Sequence, residues 1–161
     1  MTDAPAGAWT TGTLAEVKRS DRLVRLRFEV ADRVDHLPGQ HYVLRLRAPD
    51  DYTAQRSYSA ASDPDDPLLE LMVECLPDGE VSGFMHDEAR VGDVFELRGP
   101  IGGWFTWSGE VPASAVAGGS GVVPIVAMMR YARRLDLEHL LRVVAVARTL
   151  DSLPYADELR E

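Results

Sequence analysis

The chain has 161 residues, 45% of them hydrophobic, and 26 acidic against 17 basic side chains give it a formal charge of −9. That is enough apolar content for one large core or two small ones, and the acidic balance excludes a general nucleic-acid binder, which needs a basic footprint. A single cysteine, Cys75, excludes an internal disulfide framework and a full cysteine ligand set for an iron–sulfur cluster. No apolar run reaches the roughly 18 residues of a membrane span, and residues 1–8 lack the basic start and apolar stretch of a signal peptide. The composition points to a reducing, cytoplasmic setting without membrane or nucleic-acid partners.

Residues 1–10 are small and polar around Trp9 and read as a flexible lead-in. Two strands are predicted between Thr11 and Ala31, where Val24, Leu26, Phe28 and Val30 alternate with Arg25, Arg27 and Glu29. A turn at Leu37-Pro38-Gly39-Gln40 leads to a strand in which Tyr42, Leu44 and Leu46 alternate with Val43, Arg45 and Arg47. A second turn, Pro49-Asp50-Asp51, precedes the β-compatible stretch Gln55–Ser62, and residues 62–67, rich in Pro and Asp, form a loop. Leu69, Leu71 and Val73 alternate with Glu70, Met72 and Glu74 on the next strand, and a short helix runs from Gly79–Ser82 to Ala89. Gly92-Asp93 turns into a strand over Val94–Arg98, and a glycine-rich corner with aromatics follows at 99–105. Six short strands with turns between them predict a six-stranded antiparallel β-barrel with one helix, over residues 11–108.

After Gly109 the pattern changes. The apolar run Ala115-Val116-Ala117 enters Gly118-Gly119-Ser120-Gly121-Val122-Val123-Pro124. A helix follows with Ile125, Met128, Met129 and Ala132 at helical spacing and Arg130, Arg133 and Arg134 toward its end, where cations suit the dipole. Leu140–Ala147 is apolar except for Arg142 and reads as a strand buried on both faces, as in parallel sheets. Strand, glycine turn, helix and strand make an incomplete Rossmann-like βαβ unit over residues 112–161, with the boundary at 108–112.

Three groups carry candidate chemistry. On a strand, Arg56 and Tyr58 share one face and Ser57 and Ser59 the other. A guanidinium beside a phenol ring suits a flat anionic ligand, although a half-exposed strand with an ordinary wet face has the same pattern. Gly79-Glu80-Val81-Ser82 offers backbone N–H groups to a phosphate, or is an ordinary capped helix start. Gly119-Ser120-Gly121 at a strand-to-helix turn lets a pyrophosphate approach, but Pro124 takes the place of the third glycine of G-x-G-x-x-G. His36, His41, His86 and His139 form no helical i, i+4 pair, so no metal site is expected. Asp50-Asp51 and Asp65-Asp66 read as loop solvation, and Cys75 as a small buried hydrophobe. Trp104, Phe105 and Trp107 either roof a cofactor or, the commoner fate, pack at the domain junction.

The order R-S-Y-S, D-G-E-V-S, R-G-P-I-G-G-W-F and G-G-S-G-V-V-P resembles the ferredoxin–NADP⁺ reductase superfamily, in particular flavoproteins similar to the electron-transfer components of bacterial oxygenases. The resemblance implies an FAD-binding barrel followed by a pyridine-nucleotide domain. It implies that Arg56 pairs with the FAD pyrophosphate, Tyr58 lies against the flavin, with Ser57 beside them, and Ser59 hydrogen-bonds near the flavin's reactive nitrogen. Met72 and Val73 would give backbone contacts along the ring system, and Gly79, Val81 and Ser82 would cradle the pyrophosphate. Gly119, Ser120, Gly121 and Pro124 would line an NADH or NADPH site, with Arg148 and Thr149 near the ribose or phosphate. The implied activity is hydride transfer from NAD(P)H to FAD and electron delivery to an iron–sulfur protein or oxygenase component. Ser59 and Tyr58 would be the residues nearest the chemistry, and their part would be positioning.

Family members continue past the point matching Glu161, so the nucleotide domain here has two strands, and the expectation is either that the chain is a fragment or truncated form or that a homodimer or a partner chain completes its sheet. The alternatives are a non-catalytic flavin-binding module, or half-enzyme, and an empty barrel serving only in protein contacts.

Overall fold

The computed structural model describes residues 7–160. Six strands form one antiparallel sheet: β1 (Trp9–Arg19), β2 (Leu23–Val30), β3 (His41–Arg47), β4 (Thr53–Ser59), β5 (Leu69–Glu74) and β6 (Val94–Ile101), in the order β4-β3-β6-β1-β2-β5. The predicted lead-in is therefore shorter than expected: Trp9 and Thr10 already pair with Arg98 and Leu97, and residues 1–6 lie outside the described part. Strand β6 also outruns its expected end at Arg98, continuing through Gly99 and Pro100 to pair Ile101 with His41.

Alternation explains the barrel's interior. Leu14, Val24, Leu26, Phe28, Leu44, Leu69, Leu71 and Leu97 are fully buried in one core, while the intervening positions face outward. The two end strands meet at a single bridge, Ala60 to Leu71, reinforced by the Ala61 amide donating to the Glu70 carbonyl at 2.8 Å. Helix α1 (Glu80–Asp87) closes one end of the barrel. Its Val81 and Met85, with Ala89 just beyond, recur at every fourth residue and are buried in the barrel core. Arg19 donates from Nε and Nη2 to the carbonyls of His86 and Ala89, satisfying orphan acceptors at the helix C-terminus.

Beyond the barrel, β7 (Ala113–Gly118) and β8 (Leu141–Val146) pair in parallel, joined by a 3₁₀ turn, Gly119–Val122, and helix α2 (Val123–Arg134). Here one expectation is overturned. The apolar run at 140–147 is not buried on both faces: Val144 and Val146 are exposed, as is Val116 on β7 at 76%. Helix α2 packs on one face through Ile125, Val126 and Ala132, and nothing among the described residues covers the other.

The segment after β8 returns to the barrel. Tyr155 is buried, with Arg25 of β2 stacked 3.9 Å over its ring. Arg130 of α2 holds Glu158 at 2.7 and 2.9 Å, donates to the Ala61 carbonyl at 2.9 Å, and lies 3.3 Å from Glu70. The arginines of α2 thus act as ion-pair anchors, Arg134 to Asp63 included. Of the three aromatics at the corner, only Trp107 packs at the junction, with Nε1 donating to the Val111 carbonyl; Trp104 is fully exposed and Phe105 largely so. Cys75 is half-buried, not enclosed as its residue type suggested.

Candidate functional site

Strands β4 and β5 close the barrel only at Ala60–Leu71, and from there they part. Antiparallel order places Ser59, Tyr58 and Arg56 along one lip of the resulting slot and Met72 and Val73 along the other. Beyond the bridge neither lip has a ladder partner among the described residues on its slot side, so its backbone groups are available to a ligand. Helix α1 packs against both strands, and its first residue, Glu80, accepts a hydrogen bond at 3.1 Å from the hydroxyl of Tyr52, just before β4, which sets the helix N-terminus beside the slot.

The register decides which side chains face the slot. Arg56 lies opposite Leu44, and Tyr58 opposite Tyr42, both core residues of β3. Cross-strand partners share a face, so Arg56 and Tyr58 occupy the barrel's inner row and meet solvent only because the barrel is split beside them. Ser57 and Ser59 point to the outer face, opposite Val43 and His41.

The Arg56 guanidinium donates to its neighbour's Gln55 carbonyl at 2.7 Å, and it makes no ion pair among the described residues. By contrast Arg27, Arg45 and Arg47 are each held by carboxylates. Tyr58 is half-buried against the core, and burial pushes its phenol up to about 12 against the opposing pull of Arg56. It is a neutral ring across the usable pH range.

At that N-terminus, Gly79 caps α1 without a side-chain bond, leaving the first N–H groups of the helix, Val81 among them, without intrahelical acceptors. A Cβ at Gly79 would stand 2.2 Å from the Ser82 hydroxyl, so any other residue there forces that hydroxyl to shift. That hydroxyl accepts from the Leu76 amide at 3.2 Å and donates to the Gly79 carbonyl at 3.3 Å. Ser82 is buried and staples the turn; its hydroxyl is directed inward. Met72 and Val73 are buried side chains, so what they can offer a ligand is their backbone. An unpaired guanidinium, a neutral ring, two open strand edges and a helix N-terminus together suit a flat ring system joined to a diphosphate.

A second cleft, of about 710 Å³, lies at the carboxyl ends of β7 and β8. Gly119, Arg148 and Thr149 line it together with Glu74, at the end of the slot's β5 lip, and the Ser20–Leu23 turn. Gly119 has a φ of +52°, a left-handed conformation that favours glycine. Ser120 and Gly121 are exposed at the same turn, while Pro124, half-buried in the first turn of α2, adds no N–H. The carboxyl edge of a parallel βαβ unit is where nucleotides are held in open α/β sheets. Glu74, the Ser20–Leu23 turn and Asp151 were not legible as cleft walls, because no local pattern marks a residue brought there by chain return. Among the described residues no cluster of His, Cys, Asp or Glu is arranged to hold a metal, and no helix is long and apolar enough to cross a membrane.

The chain is 31% identical over 157 residues to the 2-halobenzoate 1,2-dioxygenase electron transfer component of Burkholderia cepacia, covering 94% of this chain and 45% of the relative. It is 34% identical over 161 residues to methane monooxygenase component C of Methylosinus trichosporium, covering 93% and 46%. The chain spans about half the length of the curated relatives it matches. A ferredoxin–NADP⁺ reductase from Neisseria gonorrhoeae, solved with bound FAD and NADP, superposes with a TM-score of 0.81 at 18% identity, over 94% of this chain and 63% of that one, and shares the fold. The anticipated superfamily and barrel architecture are thus borne out. Residues 13–106 match the family model of the oxidoreductase FAD-binding domain, and the chain belongs to that family, with FAD as its cofactor.

Proposed function

We propose that this chain is the FAD- and nucleotide-binding portion of an oxygenase reductase, taking hydride from NADH or NADPH and passing electrons to an iron–sulfur protein or oxygenase component. The observation that carries the reading is the split between β4 and β5, with Arg56 and Tyr58 on its inner row and the α1 N-terminus beside it. In it, Arg56 and the N–H groups around Gly79 and Val81 hold the pyrophosphate, Tyr58 lies against the flavin, and the open edge at Met72–Val73 bonds the ring system. Bound FAD supplies the capacity to accept hydride and release electrons singly. Ser59 serves as a hydrogen-bonding partner near the reacting ring and Ser57 supports the strand. No side chain is asked to act as acid, base or nucleophile.

The cleft beside Gly119, Arg148 and Thr149 is the corresponding site for the pyridine nucleotide, with Ser120, Gly121 and Pro124 at its turn. Its shared wall with the slot at Glu74 supports this, because hydride transfer requires the two ring systems to stack. We divide the chain at 108–112 into barrel and nucleotide domains, in keeping with the two cores, and place it in the cytoplasm. The test is anaerobic titration: the protein should turn yellow with FAD, and the flavin bands should bleach on addition of NADH or NADPH. Material that stays colourless with excess FAD sinks the reading.

A second reading has one observation in its favour. The exposed Val116, Val144 and Val146 leave one face of the β7–β8 sheet uncovered, so a flavin-binding half-enzyme completed by a partner chain or second copy fits as well. Flavin uptake without bleaching by NAD(P)H selects it.

A further inference from the structure

The slot and the nucleotide cleft are joined at one small, buried node. Where β4 and β5 part, Ala61 and Glu70 stand one residue to the closed side of the Ala60–Leu71 bridge, with the Ala61 amide donating to the Glu70 carbonyl at 2.8 Å. Arg130 of α2 reaches this vertex: its Nη1 donates to the Ala61 carbonyl at 2.9 Å and lies 3.3 Å from Oε2 of Glu70. One guanidinium therefore grips both sides of the slot at the point from which its lips diverge. Its other two nitrogens donate to Glu158 at 2.9 and 2.7 Å, which fixes the plane of the fork. Glu70 is buried, and Tyr155 donates to its other oxygen at 2.6 Å.

We propose that Arg130 and Glu70 are positioning residues for hydride transfer, setting the distance between the nucleotide cleft and the slot; this rests on the slot and cleft assignments proposed above. Two observations carry the node beyond simple docking of α2. Helix α2 starts directly after the Gly119–Val122 turn of the cleft, and Arg130 lies about two turns along it. The path from the cleft to the vertex of the slot is thus one helix and one side chain. Met72, on the β5 lip, buries its side chain in the same cluster as Val122 and Ile125, so the lip and the turn also share a core. Apolar contact is non-directional, whereas a planar fork spanning three acceptors admits one orientation. Replacing a buried ion pair by apolar side chains is often neutral for stability, so orientation is what the node adds. The sensitivity is high, because a shift of about 1 Å at the reacting atoms can cost about a hundredfold in rate. Arg134, one turn further along α2, supplies the contrast: it pairs with Asp63 and Asp65, in the loop that joins the two strands.

The test uses the full chain loaded with FAD, as wild type, Glu70→Gln, Arg130→Lys and Arg134→Gln. Glu70→Gln keeps the side-chain shape and an acceptor for Tyr155, and Glu158 still neutralises Arg130, so the fold should persist. Arg130→Lys keeps the charge and loses the fork. Stopped-flow bleaching by NADH or NADPH should show limiting rates at saturation about tenfold or more below wild type in both variants. FAD and nucleotide dissociation constants should stay within about threefold. A second readout needs no turnover: the long-wavelength absorbance that NAD⁺ or NADP⁺ induces by stacking on chemically reduced flavin should weaken in both. Arg134→Gln should match wild type in every measurement. Wild-type rates in Glu70→Gln and Arg130→Lys overturn the proposal, as does equal slowing in Arg134→Gln, which would make the node ordinary docking. A wild type that binds FAD but is bleached by neither nucleotide overturns the cleft assignment and the proposal together, so bleaching of wild type separates the two failures.

Discussion

Tyr155 donates a 2.6 Å hydrogen bond to Oε1 of Glu70, linking residues 85 apart in the chain and tying the segment after β8 to the strand that forms one lip of the slot. Burial raises the Tyr155 phenol far above its usual range, and the neighbouring Glu70 adds to that, so it remains a donor at any working pH. Tyr155→Phe should cost about 1–2 kcal/mol, since Glu70 keeps Arg130 while losing a bond to a charged acceptor. Urea denaturation measures the loss, and limited proteolysis should show earlier cleavage after β8. Unchanged values in both would remove the latch role.

Arg56→Ala should weaken FAD binding about tenfold to a hundredfold, the effect of losing a charge-assisted bond. The exposed guanidinium packs on little, so stability should stay within about 0.5 kcal/mol of wild type. Arg56→Lys should recover part of the affinity, because the charge is kept while the fork geometry is lost. Fluorescence titration and urea melts on the same samples separate binding from folding.

Ser59→Ala should leave FAD affinity within about threefold and slow flavin reduction by NAD(P)H about tenfold or more, as expected for one lost placed hydrogen bond. Stopped-flow absorbance reads the rate. A variant reduced at the wild-type rate would falsify the positioning role given to this hydroxyl.

Gly79→Ala should destabilise the turn into α1 by about 1–3 kcal/mol, because the new Cβ meets the Ser82 hydroxyl at 2.2 Å. Adding Ser82→Ala removes that contact, so the double variant should be less destabilised than the sum of the two singles. The Leu76 carbonyl 3.1 Å away prevents complete relief. Strict additivity in a double-mutant cycle counts against the staple.

His36 is buried, and burial holds its pKa below the ordinary 6.5, with Arg33 opposing protonation further and the Ser62 carbonyl pulling the other way. Its Nε2 lies 3.0 Å from that carbonyl and its Nδ1 3.2 Å from the Arg33 guanidinium, an arrangement that suits the neutral ring with Nε2 protonated. Below pH 6.5 the unfolded chain binds a proton that the folded one refuses, so stability falls as the pH drops from 6.5 toward the lowered folded value. The urea midpoint of wild type should decline across that window more steeply than that of His36→Gln. Parallel declines would rule His36 out as the acid-sensitive group.

Much of the barrel was legible because period-2 alternation is a local signal: Val24, Leu26 and Phe28 on β2 and Tyr42 and Leu44 on β3 announce their faces without reference to any neighbour. The Arg56–Tyr58 row and the glycine turn at Gly119 were legible for the same reason. The apolar run at 140–147 misled because it records what a strand can bury, whereas burial on both faces requires a second covering layer. Ser82 was recognised at the helix start, but its hydroxyl turns inward on account of Leu76, whose amide no spacing rule places there.

By itself the amino-acid sequence determined the strands, the helix starts, the shared face of Arg56 and Tyr58 and the change of pattern after Gly109, since each depends on contacts a few residues apart. Only the tertiary structure decided that β4 and β5 meet at a single bridge and then separate, that the inner row of β4 is thereby opened to solvent, and that Arg130 and Tyr155 return to Glu70. Alternation states which side chains lie together on a strand but not which of its edges finds a partner. That depends on how six strands curl around one core and on where the returning chain packs.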